Sequence, residues 1–243
     1  MWRALMRNVD AALRHDPAAQ SRWEVLAAYP GVHALALHRL SHALWGRKLR
    51  LSARVLSHYT RFLTGVELHP GASIAEGVFI DHGMGVVIGE TAVVEEGCII
   101  YKGVVLGGTS LERKVRHPHL HRGVIVGSNA CVLGAISVGE GARIGSASVV
   151  IKNVPAGATV VGVPGRIVRE ARPLTDELDH ASLPDPVADV MRALSNQQEA
   201  LMERIAQLED KLKLPRALTG TAVRLEDEDE GDVDPHRRAG SIF

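Results

Sequence analysis

The chain has 243 residues with 28 basic and 28 acidic side chains, so no global field would hold it on nucleic acid or an anionic membrane. Apolar residues make up 46% and aromatics 4%, with 24 glycines, so the core must be built from Val, Ile, Leu and Ala rather than from rings. Cys98 and Cys131 are too few for a disulfide framework or a zinc ribbon, and the charged opening stretch MWRALMRNVDAALRH lacks the apolar run of a signal peptide. No uncharged run is long enough to span a membrane, and a reducing cytoplasm is the expected compartment.

Residues 1–64 are rich in Ala, Leu, Arg and His, with apolar positions such as Val32, Leu35, Leu40 and Leu44 at helical spacing. They predict an N-terminal helical domain. Asp16-Pro17 reads as an N-cap with Pro at the first helical position, and Pro30-Gly31 as a break between helices.

From residue 65 to 170 the dominant signal is a period of six. Leu68, Ile74 and Ile80 share it; Ile88, Val94, Ile100 and Leu106 continue it, as do Val126, Val132, Val138, Ile144 and Val150. Four residues after most of these stands a small or branched residue: Ala72, Val78, Ala92, Cys98, Val104, Ala130, Ala142 or Ser148. Neither a helix nor an alternating strand has this period. A parallel β-helix does, with each hexapeptide forming one flat side and a turn, and three sides making a coil.

Residues 171–214 predict a C-terminal extension and helix. Val187, Leu194, Leu201 and Leu208 fall on one heptad position and Met191, Gln198, Ile205 and Leu212 on another, the seam of a short coiled coil. An amphipathic helix folded on its own chain is the alternative. Residues 215–243 carry Glu226-Asp227-Glu228-Asp229-Glu230 and read as a solvated acidic tail.

The six-residue phase slips twice, and an insertion in a solenoid must leave it as a loop, where function concentrates. The first slip holds Asp81-His82-Gly83-Met84-Gly85; the second, between Leu106 and Val126, holds Arg116-His117-Pro118-His119-Leu120-His121. Four hexapeptide steps from Ile80 to Leu106 put the two loops at neighbouring corners. A three-fold assembly would bring a corner of one subunit against a different corner of the next, so a homotrimer with shared sites, His82 from one chain and His117 from its neighbour, is expected. A neutral His suits proton abstraction near pH 7, oriented by a carboxylate; Glu67, Glu76 and Asp81 are the nearest upstream candidates. His119 and His121 read as surface residues, and Asp16 on spacing as a helix cap.

The segments Glu67-Leu68-His69-Pro70-Gly71-Ala72, Ile80-Asp81-His82-Gly83-Met84-Gly85-Val86-Val87-Ile88-Gly89-Glu90-Thr91, Val105-Leu106-Gly107-Gly108-Thr109, Arg116-His117-Pro118 and Val160-Val161-Gly162-Val163-Pro164-Gly165-Arg166 resemble the serine O-acetyltransferases of the hexapeptide acyltransferase superfamily. The likeness, to the short bacterial form, covers about residues 5–210. It implies a left-handed coil, a sense that periodicity does not decide. It also implies acetyl transfer from acetyl-CoA to L-serine, giving O-acetylserine and CoA on the route to cysteine. By motif, His82 would be the general base and Glu67, where many relatives have Asp, would orient it. Asp16 and Asp81 would meet the serine ammonium, Arg116 its carboxylate, and His117 would hold the substrate and share in proton transfer. Thr109, Ser128 and Ser146 would lie along the CoA arm, and no metal is expected. L-Cysteine as a feedback inhibitor, a dimer of trimers and a tail that binds cysteine synthase are further implied partners. Two departures stand out: Ser110-Leu111-Glu112-Arg113-Lys114-Val115 replaces a more Gly-rich loop, and the chain ends Ile242-Phe243 where many relatives end in Ile. The rival readings are acetylation of another hydroxyl acceptor, a γ-type carbonic anhydrase using His82, His117 and His119 or His121 as zinc ligands, and a non-enzymatic scaffold.

Overall fold

A computed structural model describes residues 2–169 and 186–212. They divide into two units, one ending at Pro186 and one beginning at Val187.

The first unit opens with helices α1 (Trp2–His15), α2 (Arg22–Ala28), α3 (Pro30–Gly46) and α4 (Arg50–Thr64). Pro30 starts α3 at its first turn, where the missing N–H costs nothing, and Gly65 at φ +72° ends α4. Asp16 is not an N-cap. It follows the end of α1 and accepts the Ala18 N–H at 2.8 Å in a tight turn, while Ser21 caps α2 by accepting the Glu24 N–H at 3.2 Å. Asp16 is too far from the first turn of α2 to cap it, and an Asx turn satisfies its side chain locally.

Then come β1 (Glu67–Leu68), β2 (Ser73–Ile74), β3 (Phe79–Ile80), β4 (Val87–Ile88), β5 (Val93–Val94), β6 (Ile99–Ile100), β7 (Val105–Gly107), β8 (His119–Leu120), β9 (Ile125–Val126), β10 (Cys131–Leu133), β11 (Ser137–Val138), β12 (Arg143–Ile144), β13 (Val149–Val150), β14 (Thr159–Val161) and β15 (Arg166–Arg169). They form three sheets: β1-β4-β7-β10-β13, β2-β5-β8-β11 and β3-β6-β9-β12-β14-β15. The chain visits first, second and third sheet in turn, every pairing being parallel except β14 with β15. This is a parallel β-helix. The period-six residues point inward and all are buried except Ile74, which is partly so; the small residues between them, Ala72, Ala92, Cys98, Ala130, Ala142 and Ser148, are fully buried. Each coil thus fills its interior with one large and one small residue per side.

The second insertion is shorter than the periodicity suggested. Leu120 on β8 is buried, points inward and lies six residues before Val126, so the lengthened step runs from Leu106 to Leu120. His119 and His121 therefore flank an inward Leu on the outer face of the second sheet instead of lying in a loop.

The outer face of the third sheet is covered. Phe79, Ile99 and Ile125 pack against Val9, Ala11, Ala12 and Val25 of α1 and α2, which fixes the α1–α2 turn, and so Asp16, beside the solenoid. The first sheet shows an uncovered ladder: Val87, Val105, Cys131 and Val149 pair in register, point outward and are partly exposed.

The second unit contains helix α5 (Pro186–Leu212). Met191, Leu194, Leu201, Ile205 and Leu208 of its heptad positions are each about half exposed, 47–57%. No helix among the described residues is long and apolar enough to cross a membrane. The acidic tail, with Phe243, lies outside the described residues.

Candidate active site

Two clusters of polar side chains form at two corners of the β-helix. The first lies where the chain passes from the third sheet to the first. In three of the turns at this corner the residue three after the strand is left-handed: Gly103 (φ +72°), Asn129 (+59°) and Ala147 (+57°). The β3–β4 turn is longer by two residues, and in it His82 (φ +56°), Gly83 (+73°) and Gly85 (+76°) are all left-handed. A Cβ on Gly83 would stand 2.6 Å from Val66 Cγ2, so only Gly fits there. The turn thrusts His82 outward, its side chain 74% exposed, while Asp81 stays 18% exposed. His82 Nε2 lies 3.6 Å from Asp81 Oδ2, close enough for attraction between charges though longer than a hydrogen bond. Burial raises the Asp81 carboxyl; His82 opposes that rise and the neighbouring Asp16 adds to it.

Asp16 reaches this corner from the turn between α1 and α2, and Tyr29 OH donates to its Oδ2 at 2.5 Å. The Tyr29 phenol is raised by burial and then by this bond and the charge of Asp16, with a further push from Asp81. Asp16 and Asp81 thus bring two interacting carboxylates together at this corner, an arrangement chemically suited to a cationic group. Tyr29 was not singled out from sequence; its place directly before Pro30-Gly31 gave no hint of a bond across to the α1–α2 turn.

Among the described residues no hydrogen bond or ion pair joins Glu67, expected to orient His82, to that ring. The Glu67 carboxylate accepts from Arg61 Nη1 at 3.0 Å, because the Glu side chain is long enough to reach back to the last turn of α4. The carboxylate facing His82 is Asp81.

The second cluster lies where the loop from β7 to β8 leaves the first sheet. Arg116 Nη2 donates to Glu90 Oε2 at 2.8 Å. Burial is the largest influence on the Glu90 carboxyl and pushes it up, but the Arg116 hydrogen bond together with the charges of His69, Arg116 and His117 brings the group below its ordinary value. His117 is 8% exposed. Its ring lies where a Cβ on Gly89 would be, 2.0 Å from Cδ2, and Gly108 closes the other side, with its would-be Cβ 3.1 Å from Nε2. Thr91 anchors the ring: its N–H is 3.2 Å from Nδ1 and its Oγ1 2.9 Å from the same atom, while Oγ1 also accepts the Arg116 and His117 N–H groups at 3.0 and 3.1 Å. Because Nδ1 accepts an N–H, the ring is neutral and its proton sits on Nε2. Burial, followed by the charge of Arg116, lowers its pKa in the same sense.

Ser128 and Ser146 occupy the same turn position after β9 and β12 as His82 does after β3, so they stand in one column along the first corner. Thr109 is an exposed residue of the β7–β8 loop, on the second corner. Of the histidines that could be imagined as one zinc set, His119 and His121 come together with Glu95, and His82 and His117 are not in that group.

Within one chain the two clusters lie at opposite ends of β4, with Asp81-His82 before it and Gly89, covered by His117, after it. Residues 86–89 span about 10 Å when extended. Among the described residues no hydrogen bond or ion pair joins His82 to His117.

No family model matches the chain. It is 48% identical over 217 residues to a serine acetyltransferase of Synechococcus elongatus, covering 89% of this chain and 87% of that protein. It is 46% identical over 211 residues to the serine acetyltransferase of Bacillus subtilis, covering 86% and 96%. Among solved structures it is similar to the serine acetyltransferase of Vibrio cholerae (TM-score 0.69, 42% identity, 72% of this chain and 67% of that one). A serine acetyltransferase in complex with coenzyme A from Brucella abortus aligns with TM-score 0.68 and 38% identity over 70% of this chain and 68% of that one. A serine acetyltransferase in complex with cysteine does so with TM-score 0.68 and 39% identity over 69% of each. A chain with this β-helix and this likeness over most of its length belongs to the serine acetyltransferase family, the acyltransferases that move an acetyl group from acetyl-CoA to the hydroxyl of L-serine on the route to cysteine.

Proposed function

We propose that the chain acetylates L-serine in three clefts of a homotrimer, each cleft taking the His82 corner of one subunit and the His117 corner of the next. The observation that carries this reading is the apolar ladder Val87, Val105, Cys131 and Val149. It lies on the one sheet bounded by both corners. Packing these faces around a three-fold axis buries the ladder and sets unlike corners side by side. The coil is taken as left-handed, the sense of the hexapeptide-repeat family.

In the cleft the serine ammonium lies against Asp16 and Asp81, and its carboxylate takes Arg116 from Glu90 by a two-pronged contact. His117 donates its Nε2–H to the substrate. His82 accepts the hydroxyl proton as the serine oxygen attacks the thioester carbonyl. Collapse of the tetrahedral intermediate breaks the C–S bond, and the proton on His82 passes to the departing CoA sulfur. A positioned base contributes roughly 10²–10⁴-fold and the rest comes from orientation. The CoA arm runs along the column of Ser128 and Ser146, with Thr109 of the neighbouring subunit across the cleft. L-Cysteine, with sulfur in place of the hydroxyl oxygen, fits the same pocket and acts as feedback inhibitor.

The exposed stripe Leu51, Val55, Tyr59 and Phe62 on α4 is the surface by which two trimers pair, and the α5 heptads bundle within a trimer. The tail is the segment offered to cysteine synthase, and the compartment is the cytoplasm.

Mixing His82→Ala and His117→Ala chains tests the shared cleft. Random reassembly leaves both rings intact in about one cleft in four, so activity returns to about a quarter of wild type. A mixture no more active than either parent overturns the reading.

A further inference from the structure

Glu95, His119 and His121 form a separate cluster on the outer face of the second sheet. His119 and His121 are two residues apart on and beside β8, so both rings leave the same face. Glu95 stands beside His121 on the preceding coil, its N–H bonding Leu120 O at 3.0 Å. The two rings stack with centroids 4.1 Å apart. Both turn a nitrogen to one carboxylate oxygen: His119 Nε2 is 2.7 Å and His121 Nδ1 3.2 Å from Glu95 Oε1. One ligand atom from each residue lies within 4.8 Å of the others, and among the described residues no other set of His, Cys, Asp and Glu does this.

The outer atoms of two of these side chains are also held. His121 Nε2 lies 2.9 Å from Ser137 Oγ, and Glu95 Oε2 accepts the Arg122 N–H at 3.1 Å. A histidine bound to a metal donates its other N–H to an oxygen, and a ligating carboxylate is itself hydrogen-bonded. A plain ion pair between Glu95 and His119 has no need of a second ring or of Ser137. The three side chains are 36–40% exposed, open to an incoming ion and its waters.

We propose that this cluster binds a divalent transition-metal ion through His119 Nε2, His121 Nδ1 and Glu95 Oε1, with water completing the coordination. Two imidazoles and one carboxylate select zinc, cobalt, nickel or copper over magnesium and calcium, which take oxygen ligands. On binding, Oε1 moves from between the rings onto the ion, and Ser137 and the Arg122 N–H keep the ligands oriented. The site stands on a different sheet from the intersubunit ladder and does not depend on the proposed cleft.

The test titrates the full chain, stripped with a chelator, with cobalt(II) alone. One equivalent should bind with visible absorption of a nitrogen and oxygen site, and zinc should displace it while magnesium does not. His119→Ala and His121→Ala should remove that absorption, and Ser137→Ala should weaken cobalt binding about 10- to 100-fold. Two results would overturn the proposal. One is the absence of the absorption at equimolar cobalt. The other is its survival in a His119→Ala, His121→Ala double variant, which would place the metal among the rest of the 12 histidines. If the double variant fails to fold by circular dichroism, Ser137→Ala decides, since unchanged affinity there is also contrary.

Discussion

Thr91 presents both its N–H and its hydroxyl to Nδ1 of His117, at 3.2 and 2.9 Å, and so fixes the proton of that ring on Nε2. Thr91 Oγ1 is also the acceptor for the backbone N–H groups of Arg116 and His117, so one hydroxyl shapes the end of the β7–β8 loop. Thr91→Val keeps the volume but loses these bonds, and kcat/KM should fall about 10- to 100-fold, the rate equivalent of one or two lost hydrogen bonds. Thr91→Ser restores the hydroxyl and should stay within about threefold of wild type. Steady-state kinetics on the pair checks this; equal activity of the Val and Ser variants would refute it.

Gly89→Ala tests the seat of the same ring. A Cβ there would overlap the imidazole, 2.0 Å from Cδ2, and the neighbouring Gly108 leaves no room for it to slide. Acetyl transfer should drop by at least about 100-fold, since displacement of a positioned group by an ångström is enough for that. The interior of the β-helix is untouched, so circular dichroism should be unchanged.

Asp81 and Glu67 should separate in kinetics. Asp81→Asn removes the charge facing His82 and, in the proposed cleft, the serine ammonium, so kcat should fall and the KM for serine rise together. Glu67→Gln keeps a hydrogen bond to Arg61 and should cost less than about tenfold, as expected for a group acting at one remove from the base. A larger loss for Glu67→Gln than for Asp81→Asn would make Glu67 the carboxylate that orients His82.

Acid should destabilise the first unit. His38 is 4% exposed, and burial, followed by the charge of His42, lowers its pKa to about 4. The unfolded chain takes up that proton near pH 6.5 and the folded chain only near 4. Stability from this group is therefore complete above about 6.5 and lost as pH falls through that window, by up to about 3 kcal/mol. His69, also lowered to about 4 chiefly by burial, acts in the same sense. Melting temperatures between pH 7 and 4.5 should fall, and His38→Leu should flatten the curve.

The solenoid was legible because its interior admits one residue type every sixth position, and Leu68, Ile88 and Val126 announce that rule in any window. The helix ends were harder, since Asp16 and Ser21 are both plausible caps and only the length of the intervening turn selects Ser21. The inward Leu120 escaped because a lone hydrophobe between His119 and His121 has no period of its own. Glu90, Thr91 and Tyr29 serve the two corners through contacts 13 to 26 residues away along the chain, a range at which local pattern carries no information.

The backbone of His82 has a consequence for evolution. A left-handed φ of +56° on a non-glycine residue costs on the order of 1 kcal/mol that glycine would not incur. His82→Gly should therefore melt at a higher temperature while being catalytically dead, so drift left to itself would erase the imidazole. In the proposed cleft, this turn holds its imidazole at the expense of that stability.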